Sequence, residues 1–168
     1  MDLLDRLLGH DAWTTRRCLD LARPLADAEL DRPFALGPGS LRVTLEHVVH
    51  NVEVWTDLMA GRPPRPRPAD DDAAGRTIAR LTERHERAAA DLAALARDVA
   101  ARGAWDARWL DVLDDPPAEK TFGGAIAHVI THSMHHRAQI LFLMEKVGLK
   151  EHIEGDLLSW ESNAFGWS

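Results

Sequence analysis

Four histidines, His128, His132, His135 and His136, crowd into one short stretch of the chain. A helix places residues four apart on neighbouring positions of one face, with Cβ atoms about 5–6 Å apart, close enough for two imidazoles to grip one ion. His128, His132 and His136 do not easily share it together, because eight residues rise about 12 Å while zinc–nitrogen bonds are about 2.0–2.1 Å. Projected at about 100° per residue, the apolar arc of this segment is set by Ile126, Val129, Ser133, Ile140, Met144 and Val147. His136 lies beside that arc, His132 next and His128 furthest out, so the pair His132/His136 is favoured. His135 turns about 100° away from His136 and reads as a solvated residue.

A second predicted helix carries His47 and His50. The same projection puts His50 on a polar face with Glu46, Glu53 and Asp57, whereas His47 looks inward, one turn before Asn51. A lone histidine from one helix and a His-x-x-x-His pair from another supply three neutral nitrogen ligands and leave a fourth position open, the pattern of a catalytic rather than a closed structural site. The competing reading is of core-edge histidines satisfied by hydrogen bonds. Two other metal patterns are absent: no Glu is followed three residues later by His, as in di-iron bundles, and there is no His-Glu-x-x-His motif.

Three neutral imidazoles leave a divalent ion its full double charge, so a water or thiol in the open position loses its proton more easily. Zinc and nickel lead the candidate metals, with iron and copper also suited to imidazole. Asn51, His128 and Gln139, the last placed near the His128/His132 side, are candidate supporting residues around the ligands. Arg137 points into the apolar arc, where a charge is costly alone, and predicts a salt bridge to an acid on another helix. Trp13 and Trp55 read as core or pocket lining. Cys18, with no His or Lys one turn away, reads as packing.

The elements that must hold these residues are helical. Apolar spacing and an Asp2 cap predict a first helix over residues 2 to about 25, and Ser40 caps a second from Leu41 to about Ala60. The run from Gly61 to Gly75 has four prolines and no large apolar side chain, so it predicts an exposed extended connection. Its arginines, Arg62, Arg65 and Arg67, are expected to balance the nearby Asp70, Asp71 and Asp72. A third helix is predicted from about Arg76 to Arg102, and a fourth, capped by Thr121, through Val147. Between them, residues 104–120 could hold a short strand pair. A short helix is expected around Asp156 to Glu161. The fold class is all-α, a four-helix bundle with a short C-terminal extra helix.

The chain has 168 residues and 45% hydrophobic composition, which predicts a single domain over 1–168. Its 27 acidic against 20 basic side chains argue against a phosphate-backbone binder, so no nucleic-acid partner is expected. A single cysteine excludes an internal disulfide and a Cys-rich zinc site. With no apolar run approaching a membrane span, a mean hydropathy of −0.27 and an amphipathic start, a cytoplasmic protein without membrane partners is expected.

Two stretches, Gly39-Ser40-Leu41-Arg42-Val43-Thr44-Leu45-Glu46-His47 and His128-Val129-Ile130-Thr131-His132-Ser133-Met134-His135-His136-Arg137-Ala138-Gln139, resemble the DinB/YfiT-like family. Trp13 and Asp156-Leu157-Leu158 extend the resemblance over nearly the whole chain. The resemblance implies an up-down-down-up bundle, a homodimer, and a divalent metal held by His47, His132 and His136. It departs from the family pattern at His135, where an aromatic is more usual, and at Ala138, where Gly is more usual. Characterised relatives include transferases of low-molecular-weight thiols such as bacillithiol, mycothiol or glutathione. The implied activity is therefore transfer of such a thiol to an electrophilic small molecule. Hydrolysis of a small ester or amide is one alternative, and a non-catalytic metal- or ligand-binding bundle is the other.

Overall fold

Asp2 lies in extended backbone and its carboxylate accepts from the Asp5 N–H at 2.8 Å, which starts helix α1, Leu3–Ala22. The computed structural model describes residues 1–69, 72, 74–151 and 153–166. A short helix α2, Asp27–Leu30, precedes α3, Leu41–Met59, and α4, Ile78–Ala101. Strands β1, Arg108–Asp111, and β2, Ala118–Thr121, lead directly into α5, Phe122–Lys146, and α6, Leu157–Phe165, follows. Ser40 and Thr121 cap α3 and α5 as their sequence positions predict, accepting from Val43 and Gly124 N–H at 3.2 and 3.1 Å. Each cap satisfies a donor that the first helical turn leaves without an intrahelical partner.

Some boundaries differ from those expected. Helix α1 stops at Ala22, where Leu25 N–H turns back onto the Ala22 carbonyl, so the apolar spacing up to Leu25 outlasts the helix. Helix α4 begins at Ile78 behind a Thr77 cap, and α6 runs on past Glu161 to Phe165. The strand pair is antiparallel, with Arg108 opposite Thr121 and Asp111 opposite Ala118.

The molecule is mostly helical. Helices α1 and α3 each pack against both α4 and α5, and the buried apolar side chains form two clusters. Leu19, Leu41, Leu45, Leu81, Ile140 and Leu143 belong to one; Leu8, Val52, Leu92, Val99, Ile126 and Val129 belong to the other. Helix α6 closes over α1, where Trp160 lies against Gly9 so tightly that a Cβ there would overlap the indole. His10 donates to the Gly155 carbonyl at 2.7 Å, and Arg6 pairs with Glu161 at 2.6 Å. Among the described residues, no helix is long and apolar enough to cross a membrane.

Arg137 has the partner its position demands: the guanidinium pairs with Asp11 of α1 and donates to Thr15 Oγ1 at 3.2 Å, with both charged residues buried. Cys18 is fully buried, and burial pushes its thiol up to about 12, in line with a packing role.

The polar face of α3 is sealed from solvent. Glu46, Glu53 and Asp57 are 0%, 3% and 2% exposed. Each is met by arginine: Glu46 by Arg67 at 3.2 Å and Arg76 at 3.4 Å, Glu53 by Arg84 at 2.6 Å, and Asp57 by Arg62 and Arg65, both at 2.8 Å. Arg65 also reaches Asp91 of α4 at 2.9 Å. The proline-rich segment is thus a strap that doubles back along α3, from Asp57 toward Glu46. An extended chain from Arg62 to Arg67 covers about 15 Å, close to the helical rise of about 16 Å between those two acids. Among the described residues these arginines pair with helix acids rather than with the aspartate run expected to balance them, because a carboxylate removed from water gains more from a charged partner than a solvated one does. Asp70 and Asp71 lie outside the described residues.

Candidate metal centre

Three imidazoles converge where α3 crosses α5. His132 Nε2 lies 3.2 Å from His47 Nε2 and 3.2 Å from His136 Nε2, and the three ligand atoms all fall within 4.8 Å of one another. The rings are angled rather than stacked, with centroids 4.4 to 5.0 Å apart. A ring nitrogen has either one lone pair or one hydrogen in its plane, so His132 Nε2 cannot bond both neighbours at once. Three lone pairs can share one cation. Nitrogens bound tetrahedrally to zinc are about 3.3 Å apart, which two edges of this triangle already approach. The donor set therefore fits a divalent ion.

The site's electrostatics favour the neutral form of His132 and His47. Burial, reinforced by His136, His47, His128 and His135, lowers His132 from the ordinary 6.5 to about 4. His47 is lowered as well, first by burial and then by His136, Arg67 and His50. Neutral imidazole is the form that ligates metal.

The surrounding side chains sort the sequence candidates. Gln139 Oε1 accepts from His136 Nδ1 at 2.8 Å, while its amide nitrogen sits 3.2 Å from His135 Nε2. Gln139 thus supports His136 rather than the His128/His132 side on which the helical projection put it, because its side chain reaches back one turn to position i−3. Gly37 makes room for it: at φ +53°, a Cβ there would overlap Gln139 Oε1. His135 is exposed, with that amide contact and an edge-on approach to the His136 ring at 5.1 Å. His50 stays out of the cluster, with Nδ1 3.6 Å from Glu53. Asn51 Oδ1 and His132 Nδ1 are both buried without a hydrogen-bond partner.

His128 is outside the triangle, its ring 5.3 Å from that of His132 and 4.9 Å from Trp55. Trp55 in turn meets Trp109 edge-on at 5.9 Å. Together Trp55 and His128 form one wall of a cavity of about 500 Å³ that the hairpin closes with Asp111, Asp114 and Lys120. Sequence reasoning left these hairpin residues unassigned, and the burial of Asp111 within an acidic loop-like stretch has no local signature. Trp13, the other tryptophan considered for pocket lining, borders a separate cavity with Arg17 and Glu154.

A family model described as the DinB superfamily matches residues 10–140, a span that contains all three clustered histidines together with Asn51, His128 and Gln139. Comparison with the curated proteins and with the solved structures gives no match.

Proposed function

Since the chain belongs to the DinB superfamily, we propose that it is a divalent-metal-dependent enzyme that transfers a low-molecular-weight thiol to an electrophilic small molecule. The observation that carries this reading is the meeting of His47, His132 and His136 at Nε2 distances suited to one ion. Zinc or nickel is the metal assigned to them. Such an ion, when bound, supplies a charge that makes a thiol's proton easier to lose. The protein's own residues do the positioning. Gln139 fixes the His136 ring through Nδ1 and leaves Nε2 free to ligate. Burial holds His132 and His47 unprotonated near neutral pH. Trp55 and His128, their rings tilted by 54°, give the adjoining cavity an aromatic wall against which a substrate can be oriented.

We further assign an up-down-down-up order to α1, α3, α4 and α5, as a single domain over residues 1–168. Side-chain pairings support it. Along α1 and α4 they run in opposite order, Asp5 with Arg97 and Arg16 with Glu86. Along α3 and α5 they also run in opposite order, His47 with His136 and Trp55 with His128. From α3 to the α4 segment they run in the same order, Glu46 with Arg76 and Glu53 with Arg84. The strap beside α3 supplies the long return that a parallel neighbour requires. A homodimer in the cytoplasm, without nucleic-acid or membrane partners, completes the reading; outward-facing Met134 and Phe142 of α5, 56% and 46% exposed, are apolar surface a second copy could cover.

The test is metal content by elemental mass spectrometry of untagged protein, for wild type and for His47→Ala, His132→Ala and His136→Ala, each confirmed folded. About one equivalent in wild type, lost in all three variants, is expected. A panel of thiols and electrophiles is then run with the loaded protein. Turnover of esters or amides without thiol would assign hydrolysis instead, and a tightly bound metal with no turnover would leave a binding bundle.

A further inference from the structure

The cavity beside the three histidines has a charge pattern of its own. Asp111, on β1, is 3% exposed, yet its carboxylate has few partners: the Leu113 N–H donates to it at 3.0 Å, and Lys120 stands off at 3.5 Å. Lys120 is committed elsewhere, pairing with Asp114 at 2.5 Å. Two carboxylates therefore share one ammonium, and the more deeply buried of them holds it at the longer distance. A buried carboxylate is costly unless it is fully hydrogen-bonded, so this wall favours a second cation. Trp55 lines the same cavity, and an indole is a surface on which an ammonium ion is further stabilised.

The cavity also has the right place and length. It is lined along α5 by Gly124 and His128, and His132, one turn further on, is a member of the histidine triangle. Two helical turns separate Gly124 from His132, a rise of about 12 Å. A volume of about 500 Å³ is within the range of small-molecule sites.

We propose that this cavity is the subsite for the cationic end of an extended ligand, a primary ammonium ion paired with Asp111 against the Trp55 and His128 wall, whose other end reaches His132. The inference rests on the proposed function only in taking the three histidines as the reacting centre. Lys120 remains on Asp114 at 2.5 Å, and the new cation takes over its longer contact with Asp111. A ligand of this kind has a flexible spine of several bonds between its amine and its reacting group.

The first experiment uses metal-free protein, so that it stands or falls apart from metal binding and thiol chemistry. Hexylammonium, hexanol and hexanoate are titrated while the tryptophan indole N–H signals are followed by NMR. Hexylammonium is expected to shift the Trp55 and Trp109 signals with an affinity at least about fivefold above that of hexanol, and hexanoate to bind weakest. Asp111→Asn, confirmed folded by circular dichroism, is expected to remove that preference. Lys120→Met keeps the proposal falsifiable if the first variant does not fold: loss of the competing cation is expected to tighten hexylammonium binding. Equal binding of amine and alcohol, an unchanged preference in Asp111→Asn, or weaker binding in Lys120→Met would each overturn the subsite. The span is read separately on cobalt-loaded protein from the sulfur-to-cobalt absorption band, which is expected at lower concentrations of 6-aminohexanethiol than of hexanethiol. Identical titrations would overturn the span to the histidines. No band with either thiol would instead count against thiol binding at the cluster, leaving the NMR result to decide the ammonium subsite.

Discussion

Gln139 Oε1 accepts a hydrogen bond from His136 Nδ1 at 2.8 Å. That contact decides which ring nitrogen of His136 carries the proton, and so which one keeps a lone pair for a metal. Gln139→Leu is expected to leave the helix intact and to lower metal affinity about 10–100-fold. Gln139→Glu, which also accepts from Nδ1, is expected to retain it. Competition with a chromophoric chelator measures both; unchanged affinity in Gln139→Leu would show that the contact does not support the ligand.

Gly37 tests the same contact from the other side. Gly37→Ala places a methyl group against Gln139 Oε1 and adds strain at φ +53°. Its metal affinity is expected to fall in the same direction as that of Gln139→Leu, and the double variant to be no weaker than the worse single, because the two changes break one contact. Additive losses would mean that Gly37 acts by another route.

The pH dependence follows from the lowered imidazoles. His132 stands at about 4 in the folded chain against an ordinary 6.5, so between those values the unfolded chain binds a proton that the folded chain does not. Its contribution is complete above 6.5 and is lost as pH falls toward 4; His47 and His85, also lowered by burial, act in the same direction. The metal-free protein is therefore expected to show a falling Tm over this window, more shallowly in His132→Gln. A Tm that rises as the solution is acidified would contradict the sign.

Much of this architecture is legible in the sequence, and the reason differs from residue to residue. Asp2, Ser40 and Thr121 announce helix starts because capping is local, a side chain serving an N–H two or three residues ahead. His132 and His136 are readable as a pair for the same reason, and His47 as their companion because helical projection places it inward. Helix α2 is too short for a periodic pattern to form. The sealed face of α3 is hidden for a different reason: Glu46, Glu53 and Asp57 look solvated until a distant, irregular segment folds over them. Projection sorts side chains by angle around one helix, and it carries no information about what a proline-rich connection later covers.

That covering has an energetic signature. Asp57 accepts from Arg62, from the Arg65 side chain and from the Arg65 backbone N–H, and these bonds hold its carboxyl below the usual range against the opposing effect of burial. Asp57→Ala is expected to destabilise the fold by about 1–3 kcal/mol, because it removes the charged hydrogen bonds that Arg62 and Arg65 make to a buried carboxylate, while both arginines keep access to water. Hydrogen exchange at the Arg65 amide is expected to accelerate by more than global stability alone explains. If that amide keeps its protection, the strap is held by something other than Asp57.

The buried pair in the core invites a contrast. Arg137→Met alone leaves Asp11 buried without its guanidinium partner and is expected to cost about 3–5 kcal/mol in denaturant unfolding, whereas Asp11→Leu combined with Arg137→Met recovers most of that loss. A double variant as unstable as the single would show that the pair stabilises the fold beyond compensating its own desolvation.

The strap has one more consequence, for anyone handling the protein. An exposed, arginine-rich connection is ordinarily the first place a trypsin-like protease nicks a domain. Here Arg62, Arg65 and Arg67 are each followed by proline, at Pro63, Pro66 and Pro68. The bonds after them are prolyl imides, which such proteases do not cut. The same prolines that keep the connection extended thus leave it without a tryptic site, and a digest that spares this segment reports its covalent chemistry rather than its order.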